Sequence, residues 1–368
     1  MNALQRLYME QRQSPWIDFI DRALIDTGKL EELRRQGLRG LTSNPTIFAK
    51  AVGSGQYDDL VRRMSDEGAD TWTIYEQIAV DTCGRAADVL RPVYDEAPES
   101  GDGCVSIEVE PQFAHDTSRT LERVRHLWGR LNRPNVFVKI PATPEGVPAI
   151  EQAISEGINI NVTLMFSVDV YRSVAQAYIA GLQRRADARQ RLDGVVSVAS
   201  FFVSRVDSTI DKALDAETVV RARELRGKAA IANAKLAYAA FRETFGGPAF
   251  AALGQAGARV QRCLWASTSV KNPEYRDVMY VEALIGPDTV NTMPLDTIEA
   301  FLDHGRVERT LDRDLDDAHR IIEEVEAHGI AMSAVTRELL IAGVKAFAKS
   351  FDELIGAIES KRREFVPA

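Results

Sequence analysis

The sequence of 368 residues predicts an α/β fold, a (β/α)8 TIM barrel with additional helices. Two observations favour this fold class. Eight short β-rich runs alternate with long amphipathic stretches, which is typical of a parallel sheet. Several runs also carry polar residues on one face, whereas the strands of an open parallel sheet are aliphatic throughout. A doubly wound open sheet is the alternative, but eight parallel strands close most economically into a barrel.

Each predicted strand is rich in branched or aromatic residues and is bounded by turn-forming residues. In chain order the predicted strands are Trp16–Ile20, Gly37–Thr42, Val105–Glu110, Val136–Ile140, Ile158–Leu164, Val195–Val203, Arg262–Ser267 and Thr289–Met293. Between them, apolar residues recur at helical spacing. The clearest of these amphipathic stretches are Asp116–Leu131, Ser167–Leu192, Glu217–Phe245 and Pro273–Leu284.

Two further helical regions extend the barrel pattern. Residues 51–100 carry helical spacing and no strand candidate, which predicts helices inserted between the second and third strands. Residues 312–364 follow the last strand and are interrupted at Gly329. Because no repeat or interdomain linker is evident, we predict one domain over residues 1–368. The sequence does not indicate whether a C-terminal helix at Arg337–Glu364 covers the barrel mouth.

Composition excludes several classes of function. The net charge of −9 and the pI near 5.3 argue against a nucleic-acid partner. Three widely spaced cysteines and five histidines without ligand spacing predict neither a disulfide framework nor a metal site. With no signal peptide and no run of about 18 apolar residues, we expect no membrane partner and a cytoplasmic location. A monomer and a homodimer both remain open.

Lys139 is the most informative single residue, because it lies in the apolar run Asn135–Pro141. Removing an ammonium group from water costs several kcal/mol, so a lysine on a buried strand usually has a lowered pKa or a bonding partner. A neutral amine on a rigid strand suits imine formation with a carbonyl substrate. The alternative is a lysine at a strand end whose amine extends into solvent.

Side-chain alternation indicates where such a lysine points. In the run Gly157–Leu164, the polar residues Asn159, Asn161 and Thr163 share one face, and aliphatic residues share the other. In a barrel the aliphatic face meets the outer helices, while inward polar residues near the carboxyl ends line an active site. Polar residues that fill the lumen and only hydrogen-bond to one another would account for one or two strands with a polar inward face. They do not account for six strands that carry this pattern.

The polar residues at the ends of the first six predicted strands are Asp18, Asn44, Glu108, Lys139, Asn161, Thr163 and Ser200. Here a family resemblance appears. The segments that carry it are Leu41–Phe48, Val138–Thr143, Asn159–Ser167, Ala199–Arg205 and Trp265–Pro273, and they resemble transaldolase, with the last typical of the longer bacterial subfamily. The motifs run in family order from about Asp18 to Asn291, nearly the whole chain.

The resemblance implies a cofactor-independent transfer of a dihydroxyacetone unit between sugar phosphates. Sedoheptulose 7-phosphate and glyceraldehyde 3-phosphate would yield erythrose 4-phosphate and fructose 6-phosphate. Lys139 matches the Schiff-base lysine, Glu108 the residue that moves protons, and Asp18 the acceptor of the C4-hydroxyl proton. Thr163 would hold the water that relays the proton. Glu108 and Asp18 could instead serve as plain ion-pair partners of Lys139.

The remaining matches would bind substrate. Asn44, Asn161 and Ser200 would hydrogen-bond the hydroxyls of the three-carbon unit, although Asn44 before Pro45 is also a common helix N-cap and Ser200 could bond only backbone. The phosphate ligands would be an arginine and a residue that is arginine in many relatives. They correspond here to Arg205 and Lys271, with Ser269 beside them.

Phe202 bears on the choice between two reactions. Relatives that act as fructose 6-phosphate aldolases tend to carry tyrosine here, where a hydroxyl could position water. Phenylalanine therefore favours transfer over release, although simple lumen packing explains it equally well. A fructose 6-phosphate aldolase-like activity and a non-catalytic sugar-phosphate binder are the alternatives. The presence of Asp18, Glu108 and Lys139 together argues against a non-catalytic binder, because a protein that only binds sugar phosphates needs no buried amine flanked by proton-carrying groups.

Overall fold

Eight parallel strands close into a barrel in the computed structural model, which describes residues 1–216 and 220–365. Each strand pairs with its neighbours in sequence, and the last pairs with the first. The strands are β1 Gln13–Ile17, β2 Gly40–Thr42, β3 Cys104–Glu108, β4 Val136–Pro141, β5 Ile160–Met165, β6 Ser197–Phe202, β7 Arg262–Ala266 and β8 Thr289–Met293. The predicted fold class is confirmed, and every strand boundary lies within three residues of its prediction.

Helices cover the outside of the barrel. They are α1 Ala3–Gln11, α2 Arg22–Asp26, α3 Lys29–Arg35, α4 Pro45–Gly53, α5 Asp58–Asp66, α6 Thr71–Glu96, α7 Thr117–Leu131, α8 Gly146–Ser155, α9 Val168–Asp187, α10 Ser204–Asp215, α11 Val220–Arg223, α12 Ala229–Gly246, α13 Pro248–Gln255, α14 Met279–Ala283, α15 Leu295–His304, α16 Leu315–Ala327 and α17 Met332–Phe365. Two short 3-10 turns, at Pro98–Ser100 and Pro111–Phe113, flank β3.

Three sequence-based boundaries need correction. The first strand begins at Gln13 instead of Trp16, because the polar side chains at its start are buried inside the barrel, where Gln13 Nε2 donates to Leu284 O at 2.6 Å. Only the end of the stretch Pro273–Leu284 is helical, as α14. The stretch Glu217–Phe245 is divided into α11 and α12, and its first three residues lie outside the described residues.

The lumen below the carboxyl ends of the strands is filled by aromatic residues. Trp16 and Phe137 are fully buried, with ring centroids 6.0 Å apart. Gly40 on β2 is required by this packing, because a Cβ there would lie 2.3 Å from the Trp16 ring. The indole of Trp16 on β1 therefore occupies the space that a side chain at position 40 on β2 would need.

The long C-terminal helix α17 crosses the carboxyl-terminal mouth of the barrel. Gly343 lies against the Leu164 side chain at the end of β5, and Ser350 Oγ accepts a hydrogen bond of 2.8 Å from Thr46 Oγ1 on α4. Lys361 further along forms an ion pair with Asp58 on α5. The helix thus joins the inserted helices to the barrel mouth. Within the described chain, no helix is both long enough and apolar enough to traverse a membrane.

Candidate active site

A cavity of about 400 Å³ opens at the carboxyl-terminal ends of the strands. This is the end at which the loops of a (β/α)8 barrel build active sites. Nine of the predicted site residues line it, and they are Asp18, Asn44, Lys139, Thr163, Ser200, Phe202, Arg205, Ser269 and Lys271. The other two, Glu108 and Asn161, are buried behind this lining, in contact with Lys139 and Ser200 respectively. The structure therefore brings the whole predicted set together.

Lys139 lies on β4 with only 5% of its surface exposed. Its Nζ donates to the backbone carbonyl of Ser43 at 3.0 Å, and Glu108 Oε2 lies 3.5 Å away. This proximity follows from the register, in which Glu108 on β3 is directly opposite Lys139. The alternative of a lysine that extends into bulk solvent is excluded by its burial.

The Glu108 carboxyl group has an unusual environment. Burial raises its pKa to about 7, against the lowering effect of the Lys139 charge, and the charge of Asp18 adds to the rise. Among the described residues, Glu108 Oε2 has no hydrogen-bond partner. A carboxyl group that titrates near neutral pH can both give and accept a proton, which is what general acid–base catalysis requires.

Asp18 lies immediately after β1, and its side chain is held from the neighbouring strand. Its Oδ1 accepts a hydrogen bond of 2.7 Å from Thr42 Oγ1, which is itself 2.8 Å from Thr292 Oγ1. The backbone N–H of Asp18 donates to Met293 O at 2.9 Å. Strands β2 and β8 therefore both fix the carboxylate at the cavity wall.

Three side chains on β3, β5 and β6 form a hydrogen-bonded row beneath the cavity. Ser200 Oγ donates to Asn161 Oδ1 at 2.7 Å, and Asn161 Nδ2 donates to Ser106 Oγ at 3.0 Å. Ser200 therefore does more than bond to backbone. Thr163, two residues beyond Asn161, is fully buried, and its Oγ1 has no partner among the described residues. A buried hydroxyl without a partner is expected to bind a water molecule or a ligand.

Asn44 is the N-cap of α4, as the sequence suggested. Its Oδ1 accepts a hydrogen bond of 3.2 Å from Ile47 N, and Pro45 occupies the first position of the helix. The capping bond uses the side-chain oxygen, which leaves the amide nitrogen available to a ligand in the cavity. Capping and ligand binding are thus compatible.

Cationic groups surround the outer part of the cavity. Arg205, at the start of α10, stacks on the Phe202 ring at 5.2 Å, and burial lowers its pKa, although the charge of Asp18 opposes this. Its guanidinium makes no ion pair with any described residue. Lys271 is exposed and donates to Ser269 Oγ at 2.7 Å. A guanidinium without a carboxylate partner and a nearby ammonium group suit a phosphate.

Sequence reasoning missed several residues of the lining. Thr46, Ile47 and Lys50 on α4 face the cavity, and helical spacing from the Asn44 cap could have identified them. Phe347 on α17 also lines the cavity, but nothing near it in sequence signals this. In the parts of the chain that the structure describes, no cluster of histidine, cysteine or acidic residues could hold a metal ion.

Comparisons with known proteins point to one family. The family model described as Transaldolase/Fructose-6-phosphate aldolase matches residues 15–358. A transaldolase from Thermobifida fusca is 48% identical over 93% of this chain and 94% of its own length. Transaldolase 1 from Streptomyces coelicolor is 46% identical, with coverages of 97% and 94%, and transaldolase 2 from a Nostoc species is 43% identical over 97% of both chains.

Proposed function

Because the chain belongs to the transaldolase/fructose-6-phosphate aldolase family and has transaldolase function, we propose that Lys139 is its Schiff-base residue. The reaction moves a dihydroxyacetone unit from sedoheptulose 7-phosphate to glyceraldehyde 3-phosphate and yields erythrose 4-phosphate and fructose 6-phosphate. The observation that carries this assignment is a nearly buried amine 3.5 Å from a carboxyl group whose pKa is about 7.

In the first half of the reaction, Lys139 Nζ adds to the ketone carbon of the donor sugar. The resulting carbinolamine loses water and becomes an imine, with Glu108 giving and taking the protons. A water molecule bound to the free hydroxyl of Thr163 would connect Glu108 to the reacting oxygen. Because the imine can accept an electron pair, the adjacent carbon–carbon bond becomes breakable.

Bond cleavage requires a base at the C4 hydroxyl, and Asp18 is proposed for this role. As Asp18 takes the hydroxyl proton, the C3–C4 electron pair moves into the imine and the aldose leaves. The three-carbon enamine stays on Lys139 and attacks the acceptor aldehyde, whose new hydroxyl regains the proton from Asp18. Asp18 accepts a hydrogen bond from Thr42 and donates its backbone N–H to Met293 O, and these two bonds hold the carboxylate in place for proton transfer in both directions.

Substrate binding divides between the two ends of the cavity. Asn44, Asn161 and Ser200 are proposed to hold the hydroxyls of the three-carbon unit. At the cationic end, Arg205 and Lys271 are proposed to bind the phosphate, with the Ser269 hydroxyl as a further donor. Support comes from the position of Asn44, Ser200, Arg205, Ser269 and Lys271 around one cavity, with Asn161 hydrogen-bonded to Ser200 behind it. The Arg205 guanidinium also forms no ion pair with a described residue.

Trapping the imine tests the assignment of Lys139. Borohydride and fructose 6-phosphate should attach a three-carbon adduct to one lysine, which intact-mass analysis and peptide mapping would identify. Lys139→Met should abolish labelling. Lys50→Met is the matched control, because Lys50 lines the same cavity but is exposed, so this variant should still be labelled. Equal labelling of the Lys139→Met protein would refute the mechanism.

Aldolase-like release is the second candidate, and the ring of Phe202 bears on it. Phe202 packs on Phe166, with ring centroids 5.2 Å apart, and presents no hydroxyl to the cavity. We therefore propose transfer as the main activity. Assaying fructose 6-phosphate with and without an acceptor aldehyde separates the two activities, since equal turnover without an acceptor would make the protein an aldolase.

We also propose that the barrel and its additional helices form one cytoplasmic domain. The contacts of α17 with α4 and α5 support a single unit over residues 1–368. Three cysteines, Cys83, Cys104 and Cys263, are buried and free, which fits a reducing compartment. The acidic net charge gives no reason to propose a nucleic-acid partner.

A further inference from the structure

A second cavity, of about 490 Å³, lies at the opposite end of the barrel from the active site. It is lined at the amino-terminal ends of the strands by Ser14 on β1, Ser197 on β6 and Arg262 on β7. On β6, Ser197 lines this cavity and Ser200 lines the active-site cavity. The two residues are roughly 10 Å apart along a strand, and the packed lumen lies between the cavities.

Behind one wall of this cavity lies a buried charge network, which reaches the lining through Arg262. Asp102 is fully buried and accepts from Arg39 Nε at 2.8 Å and from Arg262 Nη2 at 3.0 Å. Although burial alone would raise the pKa of Asp102, Arg262 and Arg39 together lower it below its usual range. The single carboxylate is therefore ionised and is shared by two guanidinium groups. One positive charge of this network is not neutralised.

Two more arginines line the cavity from other directions. Arg12 forms an ion pair of 2.9 Å with Asp288, and both side chains are exposed. Arg259 forms no ion pair with a described residue, and its Nε is buried without a hydrogen-bond partner. Arg12, Arg259 and Arg262 thus line the cavity together with the carboxylate of Asp288, while Arg39 and Asp102 lie behind it. The four guanidinium groups exceed the carboxylates of Asp102 and Asp288 by two positive charges, and the Asp193 carboxylate that also acts on Arg259 is itself paired with Arg191.

We propose that this cavity binds a small phosphate-bearing anion with about two negative charges, at a site separate from the active site. Arg259 lines the cavity and forms no ion pair with a described carboxylate, so a phosphate group can supply the counter-charge that its guanidinium lacks. Guanidinium groups bind phosphate through paired N–H donors, so Arg259, Arg262 and Arg12 can share one ligand. The proposal is independent of the reaction assigned to the other end of the barrel.

Inorganic pyrophosphate is the probe, titrated calorimetrically against the full-length protein at constant ionic strength. The active site also has phosphate-binding cations, so the variant Arg205→Gln separates the two sites. We expect one binding event that persists in Arg205→Gln and is at least about tenfold weaker in Arg259→Gln. Arg320→Gln is the matched control, because it removes an exposed arginine of α16 that does not line the cavity, so this variant should bind like the parent protein.

Arg12→Gln is a second test of the cavity, which applies even if Arg259→Gln fails to fold. The Arg12 side chain is 73% exposed, so its loss should leave the fold intact while it weakens pyrophosphate binding. The same protein samples should also show a pyrophosphate-dependent rise in melting temperature that parallels the calorimetric affinity. The proposal is overturned if pyrophosphate fails to bind, if binding disappears in Arg205→Gln, or if the affinity is unchanged in both Arg259→Gln and Arg12→Gln.

Discussion

Replacing Glu108 by glutamine tests the proton chemistry of the site most directly. Glutamine has nearly the same shape, so the packing of β3 against β4 is preserved. The variant removes only the ability to exchange a proton and the negative charge 3.5 Å from Lys139 Nζ. Any change in rate therefore reports on that proton and that charge.

The expected magnitude follows from the pKa of Glu108. With a pKa of about 7, about half of the carboxyl groups are ionised at neutral pH, so donor and acceptor forms are both abundant. General acid–base catalysis by one side chain contributes about 10²- to 10⁴-fold in rate. We expect kcat of Glu108→Gln to fall within that range. We also expect the parent protein to show a break in its pH profile near pH 7 that the variant lacks.

The assay is the initial rate of transfer from fructose 6-phosphate to an acceptor aldehyde, measured across the neutral pH range. Glu110→Gln is the control, because Glu110 is also a buried carboxylate near β3 but pairs with Arg123 at 2.6 Å instead of Lys139. This control should lose stability and keep the break near pH 7. If Glu108→Gln retains the break, or retains full activity, Glu108 is not the proton carrier.

Three further predictions concern binding, stability and water exclusion. Lys271→Ala should raise the substrate KM at least about tenfold while kcat changes little, because a phosphate ligand stabilises ground and transition states alike. Burial raises the pKa of Asp207 from 3.8 to about 7, so the folded state retains a proton that the unfolded chain releases. The stability that this group contributes is therefore present at acidic pH and is lost as the pH rises towards about 7. Asp207→Asn can still hydrogen-bond Tyr280, so in denaturant titrations it should flatten the dependence of the free energy of unfolding on pH. Phe347→Ala should increase acceptor-independent cleavage of fructose 6-phosphate, because water gains access to the enamine. An unchanged KM, an unchanged pH slope or an unchanged acceptor requirement would contradict the respective prediction.

Local periodicity allowed the barrel to be predicted, whereas the residues around the cavity were predicted from strand alternation together with the resemblance of their motifs to transaldolase. Alternation along β5 places Asn161 and Thr163 on one face, and the register then aligns Lys139 with Asn161 and Glu108. Such parity is a property of the strand itself and needs no knowledge of distant contacts. The start of β1 was not predicted, because a polar residue such as Gln13 is expected at the protein surface. In the structure its side chain is buried and hydrogen-bonds to a carbonyl 271 residues away in the sequence.

Contacts between distant segments were beyond sequence reasoning. Phe347 reaches the cavity only because α17 lies across the barrel mouth, a path set by contacts with α4 and α5. The hydrogen bond from Lys139 to the Ser43 carbonyl is another example, because any residue at position 43 would supply a carbonyl. Backbone acceptors carry no side-chain signature, so their roles become visible only in coordinates.

The Ser43 carbonyl also explains how a single amine can be held ready for attack. It accepts one N–H of Lys139, which restricts rotation of the terminal amine, and Ser43 is itself fixed because its Oγ donates to Ser106 O at 2.6 Å. Glu108 Oε2 lies 3.5 Å from the same amine, and its raised pKa makes this carboxylate a better proton acceptor than an exposed one. Moving one proton from the amine to this carboxyl group leaves a lone pair on a nitrogen that is already oriented. The turn after β2 therefore has two roles, because Asn44 caps α4 and Ser43 orients the amine of Lys139. A change in this turn should impair imine formation even though it removes no ionisable group.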